Sequence, residues 1–107
     1  MNELDKREKY NFLFEFYGNL FTDKQKRIFI DYYHNDFSLS EIAENEKITK
    51  QAISDQIIKI NNLLDEYEAK LRLFENDTKR RNLYNQLNKI ENIQVDEIVT
   101  ELSNLEN

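Results

Sequence analysis

Seven apolar residues in the middle of the chain, Ile53, Ile57, Ile60, Leu64, Tyr67, Leu71 and Phe74, follow one another at intervals of 4, 3, 4, 3, 4 and 3. A 3.5-residue period held over three repeats is the pattern of a helix that turns one stripe toward a partner. Nothing inside the stretch breaks a helix, because the sequence has no proline and its only glycine is Gly18. The spacing predicts one helix from Lys50 to about Glu75, about 39 Å long at 1.5 Å per residue. Its first half must pack on the helices before it. Its second half, Leu64, Tyr67, Leu71 and Phe74, is predicted to extend past a small bundle. That half needs a partner: the C-terminal tail, or a second copy of the chain in a homodimer.

The start of this helix belongs to a shorter pattern, Ser38 to Ile60. Ser38 and Glu41 form an S-x-x-E capping box, in which each side chain satisfies a backbone N–H of the other residue. Leu39, Ile42 and Ala43 then mark the buried face of a short helix. The chain turns through Asn45, Glu46 and Lys47, Ile48 drops inward, and Thr49 caps the next helix. Ala52, Ile53 and Ile57 line its inner face, and small Ala43 and Ala52 allow the two helices to cross closely. This is the pattern of a helix-turn-helix, whose second helix usually enters a nucleic-acid major groove.

Upstream, residues 3–17 are predicted as a first helix with Tyr10, Leu13, Phe14 and Tyr17 on one face. Gly18 is expected as the left-handed residue that closes it. Thr22 and Gln25 make a second capping box, opening a helix over about 23–33 with Ile28, Phe29, Tyr32 and Tyr33 inside. The aromatic density of residues 10–33 is read as core, and His34 as a surface loop residue. Downstream, Asn76 and Asp77 are expected to interrupt the helical pattern. A fifth helix is predicted over about 78–91 with Leu83, Leu87 and Ile90 as its stripe. Asn92 and Gln94 mark a break before a last helix carrying Val95, Ile98, Val99, Leu102 and Leu105. The predicted fold is all-α: a helix-turn-helix domain over residues 1–75 with an extended recognition helix, and a helical extension over residues 76–107.

The chemistry available to such a chain is narrow. With no cysteine there is no disulfide and no thiolate, and one histidine cannot build a metal site. A single glycine cannot make a phosphate-cradling loop, and Ser38, Ser40 and Ser54 have no histidine base at hand. No enzyme, cofactor or metal is expected. No apolar run approaches the roughly 20 residues of a membrane span. The charged start MNELDKREKY is not a secretory leader, so a cytoplasmic location is expected.

A binding surface remains. The net charge of −6 opposes binding to nucleic acid by bulk electrostatics. The charge is uneven, however: residues 20–60 carry six basic and seven acidic groups, and residues 61–107 carry six and ten. On the long helix, Lys50, Gln51, Ser54, Asp55 and Lys59 are expected on the outer face. Gln51 suits a bidentate contact to adenine, and Lys50 a guanine or a phosphate. Lys24, with Lys26 and Arg27, is placed to add phosphate contacts. Lys79, Arg80 and Arg81 form a second basic cluster in the acidic tail.

The run from Phe14 to Ile57 also resembles a known family. The phrases FYG-x-L-x-T-x-K-Q, YY, D-x-SLSEIAE and I-T-x-QA-I, followed by L-x-x-YE-x-KL at Leu64–Leu71, are similar to the YlxM family of small bacterial helix-turn-helix proteins. The resemblance is strong over about 15–75 and loose beyond. It implies a helix-turn-helix like the promoter-reading fourth region of sigma factors. It also implies an accessory or regulatory role in the signal recognition particle (SRP) pathway, with the SRP RNA or the SRP GTPase as partner. In that setting the tail cluster is expected on the RNA backbone and the acidic tail on basic protein patches. Two further readings stay open: a regulator reading a DNA site, and a protein-interaction scaffold. One departure concerns the turn. The family often has glycine where this chain has Lys47, and a left-handed lysine there costs about 1 kcal/mol, so the turn is expected to take another shape.

Overall fold

The computed structural model describes residues 3–106, and it is helical throughout. The helices are α1 (Glu3–Tyr17), α2 (Asp23–Tyr33), α3 (Leu39–Glu46), α4 (Lys50–Leu71), α5 (Leu73–Asn88) and α6 (Ile93–Leu105), with one 3-10 turn at Gly18–Leu20 after α1. Two compact units result, one ending at Phe74 and one beginning at Glu75.

The first unit is assembled around α4, against which α1, α2 and α3 all pack. Both capping boxes form. Thr22 Oγ1 accepts from the Gln25 N–H and Gln25 Oε1 from the Thr22 N–H. Ser38 and Glu41 reciprocate in the same way, and Thr49 accepts from the Ala52 N–H at the head of α4. Each box supplies acceptors for helix-start amides that would otherwise have none. The core joins Tyr10, Leu13 and Tyr17 of α1, Ile28, Phe29 and Tyr33 of α2, and Ile42 and Ala43 of α3 to Ile53, Ile57, Ile60 and Leu64 of α4. Phe14 stacks on Phe29 with centroids 4.1 Å apart. The aromatic density of residues 10–33 is therefore core, and His34 is an exposed residue at the end of α2.

Gly18 is not left-handed; among the described residues no glycine has positive φ. Its need for glycine lies in a close approach instead. A Cβ at this position would stand 3.2 Å from the Phe14 ring. Lys47, by contrast, does take the left-handed conformation, with φ 59° and ψ 39°. The turn keeps the geometry that a glycine would favour, held by the Lys47 and Ile48 amides donating to Glu44 and Ala43 carbonyls.

The long helix is shorter than its periodicity predicts. It ends at Leu71, Arg72 turns left-handed with φ 52°, and α5 begins at once. Asn76 and Asp77 lie inside α5 and do not interrupt it. The reason is a clasp between α1 and the end of α4. Tyr17 Oη donates to Glu68 Oε1 at 2.7 Å and accepts from the Leu73 N–H at 3.0 Å. Glu68 Oε1 also accepts from the Phe74 N–H at 3.1 Å. These two side chains satisfy the first amides of a new helix, which lets the backbone break at Arg72.

The clasp also changes the reading of the distal seam. Leu64 is fully buried in its own chain. Tyr67 lies against Tyr17 and Phe21, and Phe74 against Phe12 and Phe16. The partner these three residues require is α1 with its following turn, not a second copy. α1 runs beside α4 and supplies Phe12, Phe16 and Tyr17 to these contacts, and Phe21 comes from beyond the following turn. Only Leu71 remains exposed, at 51%.

The second unit holds most of α5, and α6. Asn92 Oδ1 accepts from the Gln94 and Val95 amides and caps α6. Glu106 accepts from Tyr84 Oη at 3.0 Å and pairs with Arg80 at 2.9 Å, tying the end of α6 to α5. Among the described residues no helix is long and apolar enough to cross a membrane.

Candidate nucleic-acid interface

The helix-turn-helix is α3, the left-handed turn at Lys47 and α4. Its outer surface follows from 100° of rotation per residue. With Ile53, Ile57 and Ile60 buried, Gln51, Asp55, Ile58, Lys59 and Asn62 stand opposite them and are exposed. Lys50 is exposed at the head of the helix, and the first turn of α4 carries no acidic residue. The positive end of the helix dipole is thus reinforced and not cancelled.

Ser54 departs from its expected place on this face. It is half-buried and lines a cleft of about 170 Å³ with Arg7, Tyr33, Leu39, Ile57 and Asn61. The angular step from Ile57 to Ser54 is small, so Ser54 borders the buried side of the helix. In this cleft Asn61, itself buried, donates through Nδ2 to Tyr33 Oη at 2.7 Å.

Ile58 was not singled out by periodicity. It is 56% exposed on the outer face, one position off the 4-3 seam. An exposed isoleucine among polar side chains has the chemistry for an apolar contact to a base methyl group. The signal was present as an isoleucine outside the stripe, beside Ile57 inside it.

The polar side chains of this face are partly engaged. Gln51 Nε2 donates to Asp55 Oδ1 at 2.9 Å, one turn along. The pair holds the glutamine amide in place, and Asp55 keeps its negative charge on this face. Arg27 is not free for phosphate either. Its guanidinium makes a two-pronged contact to Glu46, Nε at 3.2 Å and Nη2 at 2.9 Å. That contact holds Glu46 below the usual carboxylate range despite partial burial, with the nearby charge of Lys24 adding to the effect. The first turns of α2 therefore adjoin the α3–α4 turn, and this places Lys24 beside the helix-turn-helix.

In the first unit Arg7, Lys9, Arg27 and Lys70 are ion-paired. Lys24, Lys26, Lys47, Lys50 and Lys59 of residues 20–60 make no described ion pair. In the tail, Lys79 pairs with Glu75 at 3.2 Å, Arg81 with Asp77 at 2.9 Å, and Arg80 with Glu106. Each member of the cluster Lys79, Arg80 and Arg81 thus has a carboxylate partner on its own helix or on α6. Among the described residues no group of three His, Cys, Asp or Glu side chains is placed to hold a metal ion.

Comparison with known proteins agrees with this architecture. Residues 4–104 match the family model described as "UPF0122: Putative helix-turn-helix protein, YlxM / p13 like". A UPF0122 protein of Staphylococcus epidermidis is 45% identical over 84 residues, covering 78% of this chain and 76% of the relative. One from Malacoplasma penetrans is 46% identical over 87 residues, covering 81% and 80%. The UPF0122 protein YlxM of Bacillus subtilis is 40% identical over 87 residues, covering 81% and 79%. With the capped helix-turn-helix in place and the match running nearly end to end, this chain belongs to the UPF0122 family of YlxM / p13-like helix-turn-helix proteins.

Proposed function

We propose that the protein is a non-enzymatic accessory factor of the signal recognition particle pathway that acts by binding. The pathway comes from the family resemblance. The binding surface is the outer face of α4 with Lys24. The observation that supports this assignment is that Lys47, Lys50 and Lys59 of the helix-turn-helix, with Lys24 on α2, make no described ion pair, while Lys79, Arg80 and Arg81 each have a carboxylate partner. A cation spent on a neighbouring carboxylate releases fewer counterions when a phosphate arrives. Lys50, Lys59 and Lys24 are therefore assigned to phosphates, and Gln51 and Ile58 to bases.

The test is binding to reconstituted particle, with and without its RNA, alongside GTP turnover by the particle's GTPase. Lys50→Glu with Lys59→Glu should weaken RNA-dependent association more than reversal of Lys79, Arg80 and Arg81. Equal or opposite ranking would refute the assignment to α4. A chain that neither binds the particle nor alters turnover at tens of micromolar would refute the pathway.

A second reading has its own support. A recognition helix with an exposed outer face fits the major groove of duplex DNA, whereas it does not enter the narrow, deep groove of A-form RNA. A regulator reading a DNA site would use the same Lys50, Gln51 and Ile58. Selective binding to duplex DNA over the particle's RNA, lost in Gln51→Ala, would favour this reading.

A further inference from the structure

The cleft beside Ser54 lies where α1, α2 and α3 meet one edge of α4. At about 170 Å³ it is small against the roughly 300–1,000 Å³ of sites that take drug-sized ligands, so it suits a single ring system. One buried group in its lining lacks a partner. Asn61 is 8% exposed and donates through Nδ2 to Tyr33 Oη, but its Oδ1 is buried and accepts no hydrogen bond among the described residues. A buried acceptor without a donor is unfavourable and rare in folded proteins. The terminal amide torsion is soft, so a donor entering the cleft can claim this oxygen. Ser54, half-buried in the same wall, makes no described hydrogen bond.

The charge at the cleft points to an anion attached to that ring. Lys6 lines it, is exposed and makes no described ion pair. Arg7 stands next to it, its guanidinium held by the Tyr33 carbonyl at 3.0 Å and by Asp36. Among the described residues no carboxylate lines the cleft. Half-buried Tyr32 supplies an aromatic ring of the kind on which bases stack.

We propose that the cleft takes the base of an unpaired nucleotide, stacked against Tyr32, with a base N–H donated to Asn61 Oδ1 and the phosphate at Lys6. The nucleotide belongs to a strand lying on the outer face of α4, because Ile58 is part of both that face and the cleft. This rests on the assignment of α4 to nucleic acid and adds what α4 lacks toward RNA. A helix does not enter the narrow groove of A-form RNA, whereas unpaired bases are splayed out, stacked on aromatic rings and read at their edges.

Binding of the full chain to RNA hairpins tests this. One hairpin is fully paired, four carry a single bulged A, C, G or U, and a last one has an abasic bulge that keeps the phosphate. At least one bulged base should bind about tenfold more tightly than the paired and abasic hairpins. Ser54→Met, which fills the cleft, should erase that preference, and so should Asn61→Leu. In ¹⁵N-labelled protein the Asn61 side-chain amide signals should shift with the bulged hairpin and not with the abasic one. The abasic comparison needs no substitution, so it decides even where a variant fails to fold. A bulged base that gains nothing over the paired and abasic hairpins, while Lys50→Glu with Lys59→Glu weakens all of them, would overturn the cleft and leave the α4 assignment standing. No affinity for any hairpin or for duplex DNA of the same stem would overturn both. A free nucleoside monophosphate that binds as tightly as the bulged hairpin would assign the cleft to mononucleotides and overturn the strand.

Discussion

Tyr17→Phe deletes one oxygen and tests why α4 stops where it does. Tyr17 is 1% exposed, and its hydroxyl donates to the Glu68 carboxylate while accepting the Leu73 N–H. A hydrogen bond to a charged group contributes about 1.5–3 kcal/mol net. The stranded Leu73 amide can reach water, since Leu73 is substantially exposed, so the cost falls in the middle of that range, about 2 kcal/mol. For a unit of this size, unfolding entropy near 0.16 kcal/mol/K turns that loss into a fall in Tm of about 12 °C. Urea titration should show a lower midpoint at unchanged m. Hydrogen exchange should quicken at the Leu73 and Phe74 amides, which the clasp receives. Glu68→Gln keeps an acceptor but removes the charge, and the double variant should show coupling of at least about 1 kcal/mol. A loss under about 0.5 kcal/mol, or strict additivity of the two changes, would refute the clasp as the cause of the break.

Lys47→Gly should stabilise the first unit by about 1 kcal/mol, because it relieves a left-handed lysine, and a chemical-denaturation midpoint reads this directly. Burial, reinforced by the bond to Asp65, pushes the Tyr10 hydroxyl from its usual 10.0 up to about 12. A raised folded value means that the stabilisation is fully present below pH 10 and is lost as pH climbs through about 12. Tyr10→Phe should lower stability at neutral pH and flatten the decline in that alkaline window, and an unchanged pH profile would disprove the coupling. For whichever polyanion binds, Lys50→Ala and Lys24→Ala should each reduce the slope of log affinity against log salt by about 0.9, while Gln51→Ala leaves the slope alone and relaxes base preference.

Local chemistry made much of this fold readable. The Thr22, Ser38, Thr49 and Asn92 caps act over two or three residues, and each begins a helix where its side chain can reach an orphan amide. The buried half of the seam, Ile53 to Ile60, and the outward Lys50, Gln51 and Lys59 follow from the helical period alone. Tertiary contacts decided the rest, because they join residues far apart in the chain. The stop at Arg72 depends on Tyr17, more than fifty positions earlier, so a periodic pattern running on to Phe74 gave no warning of it. The same approach of α1 claimed Leu64, Tyr67 and Phe74. At Gly18 a Cβ would crowd the Phe14 ring, while its own φ makes no demand for glycine, and Lys47 accepts a strained turn because α3 and α4 fix the crossing on either side. Lys79 and Arg81 meet carboxylates one turn away on their own helix, whereas the pairing of Arg80 with Glu106 depends on the packing of α6. Sequence determines which helices form and which faces are apolar, since those are local and periodic; which faces remain open to a partner depends on what the rest of the chain folds against them.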